Sequence, residues 1–109
     1  MTSFIKQIDC QMENVAPGLK RQILGYEDQL MLVKVYFEAQ TAAPAHQHLH
    51  EQVTHVLEGK FKITIGDEEK MLTAGDSFTV ASNIPHSATC LEKGILLDAF
   101  SPKREDFLS

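Results

Sequence analysis

A chain of 109 residues, 43% hydrophobic and 23% charged, with two Cys and no Trp, is long enough to bury one core without disulfide or metal staples. Fifteen Asp and Glu against ten Lys and Arg give a formal net charge of −5, and with no basic cluster the chain excludes nucleic-acid and anionic-membrane partners. No apolar run approaches the ~18 residues of a membrane span, and Met1-Thr2-Ser3-Phe4-Ile5-Lys6-Gln7 lacks the apolar stretch of a signal peptide, so one cytoplasmic domain over residues 1–109 is expected.

In that compartment Cys10 and Cys90 read as small buried hydrophobes rather than as a disulfide pair. Residues 30–37, Leu-Met-Leu-Val-Lys-Val-Tyr-Phe, are apolar at nearly every position, which predicts a strand covered on both faces. In so small a domain the second cover is a partner subunit or a packed terminal segment, and a homodimer is the expectation. A strand over 52–57 follows, then Gly59. From 60 to 65 strict alternation puts Phe61, Ile63 and Ile65 inside and Lys60, Lys62 and Thr64 outside. A polar turn at Gly66-Asp67-Glu68-Glu69 returns the chain along 70–72 as a hairpin. Further strands are expected at 77–81, 87–91 and 95–100, divided by Gly75-Asp76, Asn83-Ile84-Pro85 and Lys93-Gly94, with weak helical character only at 103–108. Short strands with frequent turns predict an all-β sandwich or small barrel.

Four of the five His fall between His46 and His55. In an extended backbone His46, His48, His50 and Gln52 share one face, and Glu51 and His55 the other. Converging imidazoles are how a sheet presents a metal site. The plainer alternatives, a solvated His-rich loop or core His satisfied by hydrogen bonds, account poorly for so dense a cluster.

The same residues resemble a known pattern. His46-x-His48-x-x-x-Gln52, followed after six residues by Gly59, is similar to the first cupin motif. Gly75-Asp76-Ser77-Phe78 with Asn83-Ile84-Pro85-His86 resembles the second. The resemblance implies a cupin-type double-stranded β-helix, a jelly-roll barrel. It also implies one divalent transition metal held by His46, His48, Gln52 and His86, with His50 beside the ligands or facing substrate. Without it, His86 is a lone His after a Pro turn. Gln52 stands where most cupins have Glu, Gln40 where the first motif starts with Gly, and Cys90 where an Asn is expected. Three imidazoles and an amide oxygen suit Ni, Zn, Fe, Mn or Co, and such neutral ligands leave the ion its whole +2 charge. A site of that kind attracts carboxylates and polarises oxygens but lacks the anionic ligand that helps stabilise oxidised iron. The donor set therefore points away from O₂ activation and toward an acidic substrate.

Near the carboxyl terminus Asp98 interrupts an apolar strand, sharing a face with Leu96 and Phe100, so desolvation favours its protonated form unless a cation is near. On residue types alone Asp98 reads as structural and Lys103-Arg104-Glu105-Asp106 as a solvated charge run. Nearly the whole chain, however, resembles the small pectin-degradation cupins of the KdgF type. The resemblance is carried by residues 17–26, the His46-x-His48…Gln52 motif, Gly75-Asp76-Ser77-Phe78, Pro85-His86, Leu97-Asp98-Ala99-Phe100-Ser101-Pro102 and Arg104-Glu105-Asp106-Phe107-Leu108. It implies a metal-dependent isomerase or tautomerase that opens 4,5-unsaturated uronates from pectin or alginate breakdown to linear 5-keto-4-deoxyuronate, with Asp98, Phe100 and Arg104 at that family's active-site positions. Chemistry then suggests Asp98 as general acid/base, Arg104 as a bidentate carboxylate clamp and Phe100 as an apolar wall, with His50 assisting. The rival expectations are a non-catalytic sugar-acid-binding cupin, since no classical nucleophile is present, and less favourably a dioxygenase.

Overall fold

Strand periodicity dominates the computed structural model, which describes residues 3–108. After a single 3-10 turn at Gln7–Asp9 come β1 (Glu13–Ala16), β2 (Leu19–Glu27), β3 (Leu30–Phe37), β4 (Ala42–His46), β5 (Glu51–Ile65), β6 (Glu68–Thr73), β7 (Ser77–Val80) and β8 (His86–Ser101), then a short helix α1 (Glu105–Leu108). The strands pair antiparallel in the order β1-β2-β3-β8-β5-β6, with β4 on β8 and β7 on β5. The all-β expectation holds. No helix among the described residues is long and apolar enough to cross a membrane.

The sequence suggests separate strands at 52–57 and 60–65, and again at 87–91 and 95–100. The structure instead joins each pair into one long bent strand, of 15 residues in β5 and 16 in β8. The reason lies in two glycines. A Cβ on Gly59 would sit 2.6 Å from Gly94 Cα and 2.6 Å from the Lys93 carbonyl, and Gly59 itself has φ 92°. The two backbones press together here, and the pairing between β5 and β8 shifts register from Val56 to Phe61. Gly59 and Gly94 therefore bend strands rather than end them.

Because both long strands turn at the same level, each serves two halves of the sheet. β5 pairs β7 through Gln52–His55 and β6 through Lys60–Ile65, while β8 pairs β4 from His86 and β3 from Gly94 onward. The sheet folds over its own apolar face. Leu19, Phe37, Val56 and Leu96 from one half meet Phe61, Ile63, Ala88 and Cys90 from the other, and the Phe37 and Phe61 rings stack edge-on at 5.1 Å. Alternation along β8 turns His86, Ala88 and Cys90 inward, then Leu96, Asp98 and Phe100 after the bend. Cys90 is in the core as expected, whereas Cys10 is only partly buried, and both are free thiols.

Gly94→Ala is expected to destabilise the protein by about 3 kcal/mol, because the new methyl would lie 2.5 Å from the Glu58 carbonyl and 2.6 Å from the Phe61 ring. Urea denaturation measures this, and an unchanged midpoint would show that the bend tolerates a side chain.

β3 has the expected boundaries, but only its inward residues Met31, Val33 and Phe37 are buried. Leu30 and Leu32 on the other face are 59% and 38% exposed, so no segment among the described residues supplies their full cover. Three strands escape the sequence reading. β2 carries Lys20, Arg21, Gln22 and Gly25 among its apolar residues, and β4 is Ala-Ala-Pro-Ala-His, a poor strand former whose Pro44 is tolerated because β4 pairs on one side only. β1 is a four-residue edge.

Candidate metal centre and active-site cavity

His46 ends β4 opposite His86, the first residue of β8. Between β4 and β5, residues 47–50 leave the sheet in a bend, and Gln52 is the second residue of β5. The shared strand face expected for His46, His48, His50 and Gln52 is therefore not what unites them. Sheet pairing joins His46 to His86, and the bend turns His48 inward. The ligating nitrogens of His46, His48 and His86 all lie within 4.8 Å of one another, and no carboxylate among the described residues joins that group.

Backbone carbonyls decide which nitrogens converge. Nδ1 of His46 bonds the Pro44 carbonyl, that of His48 the His50 carbonyl, and that of His86 the Ile84 carbonyl, each at 2.9 Å. A carbonyl only accepts, so each Nδ1 carries the proton and each neutral ring leaves its Nε2 lone pair for the centre. Burial, followed by the Arg104 charge for His48, holds the pKa values of His48 and His86 below the usual imidazole value, keeping them in the metal-binding form. Nε2 of His86 is buried with no hydrogen-bond partner among the described residues.

Gln52 adds a fourth donor. Its Nε2 donates to Thr54 Oγ1 at 2.8 Å and, at 3.4 Å, to Asp98 Oδ1, which aims Oε1 at His48 Nε2, 3.1 Å away. Two acceptors facing each other at that distance repel unless a cation lies between their lone pairs. Orphaned Nε2, apposed acceptors and neutral imidazoles are together what a divalent transition ion needs, and the donor set fits one.

Asp98 lies behind this cluster. Thr54 Oγ1 donates to its Oδ1 at 2.6 Å, and no protein group among the described residues bonds Oδ2. Burial raises its pKa to about 6, against the opposing pull of the Thr54 bond, the Arg104 charge and the Gln52 bond. A carboxyl whose folded pKa lies above its unfolded value keeps a proton that the unfolded chain releases, so metal-free protein loses stability as pH rises from about 4 to about 6. From 3.8 to about 6 the loss is ~3 kcal/mol. His48 and His86 act oppositely, costing stability as pH falls below the unfolded imidazole value, so the comparison needs Asp98→Asn as reference. The wild type should gain on that variant between pH 7.5 and pH 4.5 in urea denaturation of chelated protein. A difference that is flat with pH would contradict the shift.

Asp98, Gln52, His46 and His86 line a cavity of about 340 Å³, within the ~300–1,000 Å³ usual for small-molecule sites. Phe100 forms part of its wall, edge-on to His48 at 5.7 Å and to Phe107 at 5.8 Å. Arg104 also lines it, rather than belonging to a solvated charge run. Its Nε and Nη2 donate to Asp106 at 3.0 and 2.8 Å, which holds the Asp106 carboxyl below its usual range, and its guanidinium lies 4.2 Å from the Phe107 ring and 4.9 Å from that of Phe100. One bidentate edge is thus taken by Asp106, and the Nη1/Nη2 end remains for an incoming carboxylate. Lys103 departs from its neighbour, pairing on the surface with Asp28 at 3.0 Å.

His50 does not line this cavity. Its ring packs against His48 at 5.6 Å, and its carbonyl is what orients that ligand. His55 lies on the other face, bonded to Ser77 Oγ at 2.7 Å, as parity predicts. Arg21, which lines the cavity, and Thr54, which lies behind it, were not singled out from sequence. Arg21, on β2 after buried Leu19, stacks on Phe107 at 3.9 Å and pairs with Glu13 at 3.1 Å. Thr54, wholly buried, bridges Gln52 and Asp98. Strand parity with Gln52 and Val56 is the signal that could have found Thr54.

Residues 33–98 match the family described as the cupin domain. The chain is 39% identical over 98 residues to the pectin degradation protein KdgF of Dickeya dadantii (strain 3937), an alignment covering 88% of this chain and 89% of that protein. An RmlC-like cupin from Shewanella frigidimarina NCIMB 400 superposes with a TM-score of 0.94 at 43% identity, over 98% of this chain and 96% of the other. KdgF from Halomonas sp. superposes with a TM-score of 0.92 at 33% identity, over 96% and 99% respectively.

Proposed function

The chain belongs to the cupin family and, within it, to the KdgF proteins, and on that premise we propose that it is a metal-dependent enzyme of pectin breakdown that opens 4,5-unsaturated uronates to linear 5-keto-4-deoxyuronate. The observation that carries the reading is that His46, His86 and Gln52 of the donor cluster line one cavity with Asp98, a carboxyl with a pKa of about 6, and the Arg104 guanidinium.

The reaction is an isomerisation with no net redox change. The C1–O5 bond of the hemiacetal breaks as the C1 hydroxyl gives up its proton and O5 receives one, leaving an aldehyde and an enol. A proton added at C4 and one lost from the enol oxygen then give the ketone. A divalent ion held by His46, His48, Gln52 and His86 would supply Lewis acidity toward substrate oxygens. Arg104 binds the substrate carboxylate through its Nη1/Nη2 end, a planar contact that a lysine cannot reproduce. Phe100 covers one side of the sugar and keeps water from it. Asp98, with Oδ2 unpaired and both protonation states populated near neutral pH, carries the proton between oxygen and C4.

The test is an assay of purified protein on unsaturated galacturonate, following loss of the ultraviolet absorbance of the conjugated alkene, with elemental analysis of the same sample. The expected result is decay faster than the spontaneous rate with one transition ion per chain. An ion-loaded protein that leaves the spontaneous rate unchanged, yet melts at a higher temperature with uronate, would overturn catalysis in favour of binding alone.

A further inference from the structure

Buried polar side chains outside the expected site residues are few, and one of them sits where it controls a donor. Thr54 is fully buried on β5, and its hydroxyl has one hydrogen, committed to Asp98 Oδ1 at 2.6 Å. Toward Gln52 it therefore presents only lone pairs, and it accepts from Gln52 Nε2 at 2.8 Å. Were the carboxamide to flip, Oε1 would face those lone pairs, while the NH₂ would bond His48 Nε2, now 3.1 Å from Oε1. In the absence of an ion that flipped state satisfies His48 and blocks the centre. The preference for the open state comes from Thr54, the nearer acceptor at 2.8 Å, with Asp98 acting through it and by its own longer bond of 3.4 Å to Gln52 Nε2.

We propose that Thr54 is a positioning residue that locks the Gln52 carboxamide with its oxygen toward the imidazole nitrogens, making position 52 a metal donor and making a carboxamide the side chain required there. The second half follows from the same count of hydrogens. A Glu at position 52 would set a carboxylate oxygen against Thr54 lone pairs and beside the Asp98 carboxyl, so that one of the two acids would have to take up and keep a proton. Gln meets the Thr54–Asp98 pair without that proton, which would otherwise take Asp98 out of acid–base exchange. The inference rests on the metal site proposed above and adds the residue that arms it.

The test compares wild type, Thr54→Val, which is nearly isosteric but lacks the hydroxyl, and Thr54→Ser, which keeps it. Each is titrated with Zn²⁺ against a chromophoric chelator. Thr54→Val is expected to bind Zn²⁺ about 10–100-fold more weakly, and Thr54→Ser to recover most of that loss. A wild type that binds no Zn²⁺ would overturn the metal site itself, and this inference with it. A wild type that binds and a Thr54→Val protein that binds equally would overturn the inference alone. If Thr54→Val does not fold, the wild-type protein still decides by NMR. Locking predicts slowly exchanging Gln52 side-chain amide protons without metal, identified by their loss in Gln52→Ala, and fast-exchanging ones would refute it.

Discussion

Asp98→Asn is expected to lower kcat on unsaturated galacturonate by ~10²–10⁴, the range for a positioned general acid/base, with KM and bound ion little changed. Asn keeps the shape and still offers Thr54 an acceptor oxygen, so the Gln52 carboxamide keeps its partner. What is lost is the ability to gain and release a proton. Wild-type activity should also weaken at low pH, where the carboxyl, whose burial raises its pKa to about 6 in the metal-free protein, becomes fully protonated and can no longer take a proton from the substrate hydroxyl. The variant should lack that limb. Stopped-flow absorbance over pH 5–8 measures both, and a variant with full activity would remove Asp98 from the reaction.

His86→Ala should have the larger effect, leaving protein without a stoichiometric ion and at the spontaneous rate. His86 is buried, its Nδ1–H is tied to Ile84, and its Nε2 has no hydrogen-bond partner among the described residues, which leaves that lone pair to ligate. The thermal readout is independent of activity. An ion present at 1,000 times its Kd stabilises by ~4 kcal/mol, and for a domain of this size each kcal/mol moves Tm by about 4–8 °C, so chelation should lower the wild-type Tm by roughly 15 °C or more. The variant should melt at the same temperature with and without chelator. If wild type does so too, the histidines are structural and the metal account fails.

The sequence carries much of this site in readable form, and where it misleads the reason is physical. Alternation foretells that Phe61 and Ile63 point inward, that Asp98 shares a buried face with Leu96 and Phe100, and that His55 points away from the other histidines. The same rule fails from His46 to Gln52, because residues 47–50 are a bend in which parity has no meaning. Turn signals fail at Gly59 and Gly94, which look like strand ends only until the two are seen to face each other across β5 and β8. Lys103 and Arg104 are alike in composition and adjacent in sequence. Their fates diverge because α1 turns one over Phe107 and leaves the other with Asp28.

Sequence alone determined which donor types the chain offers, imidazoles with a carboxamide where a carboxylate is usual, and the buried face of strands with clean alternation such as 60–65. Both are local properties, set by side-chain type and by a period of two. Only the tertiary structure decided which atoms those donors present. Gln52 and Asp98 are 46 residues apart and Thr54 and Asp98 are 44 apart, and they meet through the register of β5 on β8. The carbonyls that set the imidazole tautomers, the hydroxyl that orients the amide and the carboxylate that occupies one edge of Arg104 are matters of ångström placement, and hydrogen bonds exist or fail at that scale.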